Sequence, residues 1–233
     1  MLVFWDHKLA ILATPKTGST AIQAALEPMA TLAIRNPPAL KHTTAQRWHR
    51  FLGPYFETAA GAPFTVVALM REPRDWLGSW YRYRARPEIA GTTRSTAAIS
   101  FDQFVNDWCD DPQPDHAAVG SQARFLTPKG DRGVDHIFRY EEIDRFVDFL
   151  EDRLGHEIIL PRLNVSPSGN IDLSPGTEAR LRKTAAQIGV DFVAVSFPKS
   201  AADMYMARQL LRAAGNVMAV RMRANLAKQT PFT

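Results

Sequence analysis

The sequence contains one cysteine, Cys109, among 233 residues, so no disulfide can form within the chain. A chain without disulfides fits a reducing compartment, and the cytoplasm is the expected location. The longest apolar runs, at 9–13 and 64–70, are far shorter than the roughly 20 residues that cross a bilayer. The N-terminus also lacks the basic and apolar regions of a secretory signal. We therefore expect no membrane span.

The usual features of nucleic-acid-binding proteins are missing as well. The chain has no zinc-finger spacing, no RNP-like aromatic pattern and no uninterrupted basic tail. Its formal net charge is nevertheless +4, and several of its arginines lie between Arg71 and Arg94. An arginine-rich region of this kind suits an anionic ligand. We expect a small anionic ligand and no nucleic-acid partner.

Apolar runs and helical periodicity alternate along the chain, which predicts an α/β fold. The predicted strands are 9–13, 31–35, 64–70 and 134–139. The predicted helices are 18–26, 44–58, 73–84, 101–109, 116–126, 143–154, 175–188 and 201–223. This order predicts a three-layer, P-loop-like domain, with a mostly parallel central sheet flanked by helices. One domain should cover residues 1–233, with a helical C-terminal portion from about residue 175.

The segment after the first predicted strand has the composition of an anion-binding loop. It reads Thr-Pro-Lys-Thr-Gly-Ser-Thr over 14–20 and leads directly into a predicted helix. Unpaired amides and the helix dipole favour phosphate-like oxygens there, and a glycine lets the backbone come close. The segment does not fit the G-x4-G-K-[ST] loop of ATP and GTP enzymes, because Lys16 precedes Gly18.

This loop resembles the first motif of the sulfotransferases that use 3′-phosphoadenosine 5′-phosphosulfate (PAPS). The resemblance implies that the loop holds the 5′-phosphosulfate and that Lys16 is a catalytic residue that steadies charge on the bridging oxygen. The residues that match the motif are Pro15, Lys16, Thr17, Gly18, Ser19 and Thr20. Ala21 stands where many cytosolic members have a tryptophan, so the match is closer to the bacterial and carbohydrate branches.

A second anion site is predicted at the end of the strand over 64–70. Arg71 ends this strand, Pro73 opens the next helix, and Ser79 lies eight residues after Arg71. An arginine fork and a nearby hydroxyl can bind one phosphate together. The layout resembles the 3′-phosphate motif of the same family. Tyr140, after the strand over 134–139, resembles a family residue near the coenzyme, and 121–126 and 161–166 resemble other family segments.

Transfer to a hydroxyl needs a general base, for which histidine is a candidate. The chain has six histidines, His7, His42, His49, His116, His136 and His156. His42 follows the short strand predicted at 31–35, whose end should lie at the ligand-binding edge of the sheet. We predict His42 as the base, with His49 second and His116 third.

The resemblance implies sulfuryl transfer from PAPS to a hydroxyl of a carbohydrate or small-molecule acceptor, with no metal required. The residues leave an alternative open, namely an atypical P-loop nucleotide-binding protein or kinase without sulfuryl transfer. A kinase should need Mg²⁺ and usually an acidic residue at a strand end. Arg71 stands at that point instead.

Overall fold

The computed structural model describes residues 1–127, 133–161 and 171–187. Five strands form one open sheet in the order β3-β1-β2-β4-β5. The strands are β1 (Leu2–Phe4), β2 (Leu9–Leu12), β3 (Leu32–Ala33), β4 (Thr65–Met70) and β5 (His136–Arg139). The predicted α/β class is confirmed, and all four predicted strands are present, each shorter at one or both ends than predicted.

The sheet is mixed. β4 pairs in parallel with both β2 and β5, whereas β1 pairs antiparallel with both β2 and β3. Four strands therefore run in one direction and β1 runs against them, so the sheet is not wholly parallel. The sequence analysis missed β1 because its three residues are too few to show a period. A turn over residues 5–8 joins β1 to β2, closed by a hydrogen bond from Lys8 N to Trp5 O of 3.2 Å.

Nine α-helices are described. They are α1 (Ser19–Leu26), α2 (Pro38–Lys41), α3 (Ala45–Arg47), α4 (Gly53–Ala60), α5 (Pro73–Arg84), α6 (Phe101–Trp108), α7 (Gln122–Leu126), α8 (Ile143–Leu154) and α9 (Pro175–Gln187). A π-helical segment (Trp48–Leu52) joins α3 to α4, and 3₁₀ turns lie at Glu27–Met29, Pro87–Ile89 and Tyr140–Glu142.

Several helix ends follow from local chemistry. α5 begins at Pro73 because Glu72 accepts a hydrogen bond from Asp75 N at 2.9 Å, and α8 ends before Gly155, which has φ +73°. The helix predicted over 116–126 was wrong in its first half. Ser121 caps α7 by accepting from Arg124 N, after Gly120 turns the chain with φ +76°, so the helix begins only at Gln122.

The sheet is covered on both faces. In β2, Leu9 and Ile11 pack into one apolar cluster with helices α1 and α8, while Ala10 and Leu12 pack into the other, which contains Trp48. β4 alternates in the same way, because successive side chains of a strand point to opposite faces. Both faces of the central strands are therefore buried, which explains their continuous apolar runs.

The strand directions bring three loops to one edge of the sheet. Since β2, β4 and β5 are parallel, the segments that follow Leu12, Met70 and Arg139 all start at their shared carboxyl edge. No helix in the described part of the chain is long and apolar enough to cross a membrane. The helix predicted over 201–223 lies outside the described residues, and the single domain over 1–233 stays a prediction.

Candidate functional site

The loop between β2 and α1 presents a row of unused backbone donors. Thr14 N bonds Leu12 O, and the amides of Ala21 and Ile22 bond Gly18 O, but the five amides from Lys16 to Thr20 bond no acceptor in the described ranges. Gly18 caps α1 without any side-chain hydrogen bond, and the first turn of α1 contains no acidic residue. Successive free N–H groups at such a helix end form a cradle for an anion.

The loop owes its shape to two residues with left-handed backbone. Gly18 has φ +72°, and Lys16 has φ +66°, a region that residues other than glycine rarely adopt. Tyr140 packs directly on Gly18, because a Cβ placed at Gly18 would lie 2.8 Å from Tyr140 Cε2. The glycine is therefore required both for its φ and for the close approach of the tyrosine ring.

Buried polar contacts hold the loop against its neighbours. Thr17 is almost fully buried, and its hydroxyl donates to Thr14 O at 3.0 Å. Trp76 on α5 donates from its indole Nε1 to Pro15 O at 3.0 Å. The Thr17 hydroxyl thus shapes the loop, while the hydroxyls of Ser19 and Thr20 have no hydrogen-bond partner within the described ranges.

Arg71 lies at the end of β4 with its backbone fixed and its side chain on the loop. Gln122 is buried and pairs with both backbone groups of Arg71, accepting from N at 2.8 Å and donating to O at 2.7 Å. The Arg71 guanidinium donates to Lys16 O at 3.4 Å and lies 4.9 Å from the centre of the Tyr140 ring. Its buried Nε–H has no acceptor among the residues described.

A second arginine, Arg82 on α5, shares this environment. Its pKa is lowered, first by burial and then by the charge of Arg71, with Asp75 opposing. The buried Nε–H of Arg82 likewise has no acceptor in the described part of the chain. Ser79 is buried on the same helix, but no described hydrogen bond joins it to Arg71. Two repelling guanidinium groups with unused buried donors indicate an anion site.

The side chain of Lys16 extends toward α5. Its Nζ lies 3.5 Å from the centre of the Tyr83 ring and 4.7 Å from that of Trp80, so the ammonium rests on two aromatic faces. Burial, and then the charges of Arg86 and Arg84, lower the pKa of Lys16 to about 8. The lysine is still mostly charged at neutral pH, although its surroundings favour losing the proton.

His42 follows α2 and contacts the same loop. Its Nδ1 lies 2.6 Å from Ala13 O, and a carbonyl can only accept, so Nδ1 carries the proton. Burial lowers the pKa of His42 below 6.5; the bond to Ala13 opposes this, while the charges of Lys41 and Lys16 lower it further. The ring is therefore neutral at pH 7 with an unprotonated Nε2, which is the form that a general base needs.

The second and third candidates for the base are engaged elsewhere. His49 Nε2 lies 2.8 Å from Gly133 O, so it ties the segment after α3 to the chain before β5. His116 Nε2 lies 2.6 Å from Asp107 on α6. Neither has a described contact with the loop after β2. Of these three histidines, only His42 bonds a residue adjoining the predicted anion site.

The structure brings together Lys16, Gly18, Arg71, Tyr140 and His42, all predicted from the sequence. The sequence analysis missed other residues that hold or extend the site. These are Trp76, Trp80, Arg82, Tyr83 and Gln122. Trp76, Trp80 and Tyr83 follow the i, i+4, i+7 spacing of one helix face, which is the signal that could have identified them.

Comparison with known proteins adds little to this geometry. No family model matches the chain. A stretch of 32 residues is 66% identical to the pyruvate kinase of Haemophilus influenzae, and this match covers 14% of the chain. The chain spans only 7% of the length of that pyruvate kinase. A similarity this short does not show a family.

Proposed function

We propose that the protein is a sulfotransferase that moves a sulfuryl group from PAPS to a hydroxyl of a carbohydrate or small-molecule acceptor. The row of five unused amides from Lys16 to Thr20, capped by an uncompensated helix end, carries this proposal. It offers an anion such as a phosphosulfate several N–H donors at once. Lys16 adds a positive charge, which a loop that binds anions through backbone amides alone would lack.

The second anion site supports PAPS over a simple nucleotide. Arg71 and Arg82 repel each other, and each has a buried Nε–H without a described acceptor. A phosphate bound between them would relieve the repulsion and accept those hydrogen bonds. We assign this position to the 3′-phosphate. Ser79 is assigned to the same phosphate, and Tyr140 to the wall between the two anion sites.

The proposed reaction breaks one S–O bond and forms another. The donor supplies the sulfuryl group, and its bridging oxygen leaves with the bonding electron pair on 3′,5′-adenosine diphosphate as the acceptor oxygen bonds to sulfur. The Lys16 ammonium opposes the negative charge that grows on the bridging oxygen, and the loop amides hold the adjoining phosphate. His42 takes the acceptor proton on Nε2, since Nδ1 is committed to Ala13.

The proposal extends to the arrangement of the layers in the fold. We assign the sheet and its covering helices to a three-layer, P-loop-like arrangement, because an anion loop follows β2 directly and leads into α1. The cytoplasm is the proposed location. PAPS is the proposed co-substrate, and the scheme uses no metal.

The first test compares nucleotides by titration calorimetry with the full chain. We expect 3′,5′-adenosine diphosphate to bind far more tightly than 5′-AMP, and ATP with Mg²⁺ to bind no better than 5′-AMP. Arg71→Ala should erase most of the preference, since losing a charged hydrogen bond costs about 1.5–3 kcal/mol, or roughly ten- to a hundredfold in affinity.

Arg74→Ala is the matched control for this test. Arg74 lies three residues after Arg71, in α5, but it bonds Ile171 O at 2.9 Å and pairs with Asp172 at 3.8 Å, so its charge is already engaged. Its removal should leave the preference intact. Equal binding of 3′,5′-adenosine diphosphate and 5′-AMP by the unaltered protein would refute the second anion site, and tighter binding of ATP with Mg²⁺ would favour the kinase alternative.

A further inference from the structure

A ladder of alternating cations and aromatic rings runs along the C-terminal half of α5. Lys16 rests on Tyr83 and Trp80, as described above. The Arg86 guanidinium carbon lies 5.0 Å from the centre of the Tyr83 ring, and that of Arg84 lies 5.8 Å from the centre of the Trp80 ring. Three positive charges therefore gather on two aromatic side chains. We call these five residues the cationic ladder.

No ion pair with a carboxylate is described for the three cations of the ladder. Six other arginines form ion pairs with carboxylates, namely Arg35, Arg74, Arg139, Arg145, Arg180 and Arg182. No carboxylate lies within salt-bridge distance of Lys16, Arg84 or Arg86 in the ranges that the structure describes. Arg84 instead donates to the backbone carbonyls of Asp115 at 2.6 Å and Ala118 at 3.2 Å, which fixes its position without cancelling its charge.

The cations of the ladder also repel one another. The charges of Arg86 and Arg84 both lower the pKa of Lys16, after burial, which is the larger cause. Burial likewise lowers the pKa of Arg84 and the charge of Arg94 lowers it further, while the charges of Asp115 and Tyr83 oppose the shift. Ring faces compensate such repulsion only in part, because a cation–π contact at a partly exposed site contributes about 0.5–1 kcal/mol. An anion placed beside the ladder would compensate it more fully.

The ladder adjoins the bond that would react. Arg71, before the start of α5, contacts the backbone oxygen of Lys16, whereas the lysine ammonium reaches Tyr83 near the end of that helix. The ring of Tyr83 also carries the Arg86 guanidinium. A group bound to Arg86 would therefore lie close to the ammonium that is assigned to the bridging oxygen.

We propose that the acceptor carries a carboxylate or sulfate near the hydroxyl that is sulfated, and that Arg86 binds this group with Arg84 fixed behind it. The proposal rests on sulfuryl transfer as the function and adds the substrate class. Arg86 is exposed and can contact an incoming ligand. Arg84 is buried and donates hydrogen bonds to two backbone carbonyls. Tyr83 is 38% exposed, and its ring contacts both the Arg86 guanidinium and the Lys16 ammonium.

The test uses matched pairs of probes that differ at one type of group, a carboxylate in one member and an uncharged group in the other. One pair is a chondroitin tetrasaccharide and its carboxyl-reduced form, and the other is 4-hydroxybenzoate and its methyl ester. Each binds to the full chain saturated with 3′,5′-adenosine diphosphate, and calorimetry measures the affinity. We expect the acidic member of at least one pair to bind about tenfold or more tightly, and Arg86→Gln to reduce that preference below about threefold.

Arg50→Gln is the control for non-specific attraction to a basic protein. Arg50 is also exposed and also lies over an aromatic ring, 5.9 Å from the centre of Phe51, and its removal changes the net charge equally. The preference should survive this change. A sulfated, carboxyl-reduced tetrasaccharide, added as a third acidic probe, distinguishes sulfate from carboxylate as the group that is bound.

The outcomes separate this proposal from the function on which it rests. If neither pair shows an acid preference, if no probe binds, or if Arg50→Gln and Arg86→Gln reduce the preference equally, the acidic acceptor is refuted. Tight binding of 3′,5′-adenosine diphosphate in the same samples would then leave sulfuryl transfer in place. Failure of the unaltered protein to bind that nucleotide would instead refute the proposed function.

Discussion

Two loops at the same edge of the sheet are built in opposite ways. After β2, the backbone amides from Lys16 to Thr20 bond no acceptor in the described part of the chain, and the buried Thr17 hydroxyl bonds Thr14 O. After β4, Gln122 bonds both backbone groups of Arg71, and Glu141 accepts from Glu72 N at 2.8 Å. The first loop therefore offers its main chain to a ligand, and the second offers a side chain.

This difference predicts how each loop responds to mutation. Main-chain recognition depends on backbone conformation, so it should tolerate changed side chains but not a changed φ. Side-chain recognition depends on the one arginine and on whatever fixes its backbone. Different kinds of substitution should therefore impair the two loops. Substitution of His42 should have a third kind of effect, because His42 contacts the first loop but is proposed to act as the base.

The largest effect should come from His42→Asn. The asparagine amide can still donate to Ala13 O in place of Nδ1, so the first loop should keep its shape while the base is lost. We expect single-turnover sulfuryl transfer to fall by a factor of about 10² to 10⁴, the usual range for a general base. Rapid-quench measurement with labelled PAPS checks the rate, and calorimetry should show unchanged binding of 3′,5′-adenosine diphosphate.

The pH profile of kcat/KM sharpens that prediction. The rate should rise with pH through the pKa of His42, which burial places below 6.5, and should fall above about pH 8 as Lys16 loses its charge. His42→Asn should abolish the acidic limb and keep the alkaline one. Near-normal turnover of His42→Asn with both limbs intact would mean that another group is the base.

Gly18→Ala should have the next largest effect, and it acts on binding. The left-handed conformation costs a non-glycine residue about 1–2 kcal/mol, and the new Cβ would lie 2.8 Å from the Tyr140 ring. The tyrosine or the loop must therefore move. We expect calorimetry to show a roughly ten- to hundredfold weaker affinity for 3′,5′-adenosine diphosphate.

Gly91→Ala separates the effect of backbone strain from the effect of the steric clash with Tyr140. Gly91 has φ +76°, but a Cβ there would meet nothing within 4 Å. The change should lower the thermal unfolding temperature by an amount that reflects strain alone and leave nucleotide affinity unaltered. If Gly18→Ala weakened binding no more than Gly91→Ala does, the first loop would not recognise its ligand through the main chain.

The smallest effect is expected for Gln122→Ala, which tests the second loop indirectly. The change leaves the N–H and C=O of Arg71 without partners, and a buried group left unpaired costs about 1–3 kcal/mol of stability. The preference for 3′,5′-adenosine diphosphate over 5′-AMP should fall about three- to tenfold, because the arginine is less well positioned. Calorimetry with both nucleotides measures the preference, and chemical denaturation measures the stability.

Gln23→Ala is the matched control for Gln122→Ala. Gln23 is buried too, and its amide donates to Ile34 O at 3.3 Å, with no described hydrogen bond to Arg71. It should destabilise the fold without changing the preference between the nucleotides. A preference that survives Gln122→Ala would show that the Arg71 side chain is positioned by its contacts with Lys16 and Tyr140 instead.

Much of the fold could be predicted because the strong strands and helices are determined locally. The run over β4 and the proline that opens α5 appear in the sequence as an apolar segment and a helix start. β1 could not be found in this way, because its three residues gain their structure by pairing with β2 and β3. The segment 116–121 was misjudged because Trp108 donates to Gly120 O, a contact that sequence spacing does not reveal.

The candidate site divides in the same manner. Lys16, Gly18 and Arg71 follow strands, so their meeting at one edge could be predicted from the order of the strands alone. The hydrogen bonds between Gln122 and Arg71 could not be predicted, since Gln122 lies 51 positions further along the chain, on α7. The cationic ladder was not predicted, because the arginines were interpreted only through their net charge and the nearby rings of Trp80 and Tyr83 were not considered.

The parallel pairing of the central strands also sets the time at which this edge can form. β1 and β2 are neighbours in the chain and can pair early. β2 can pair with β4 only after Thr65 and the rest of that strand have been made, and β4 can pair with β5 only after His136 has been made. Such long-range pairing is slow, because loop closure precedes the contacts that reward it. During synthesis at roughly 5–20 residues per second, Tyr140 is added several seconds after Gly18. The contact between the tyrosine ring and Gly18 is therefore among the last contacts of the site to form.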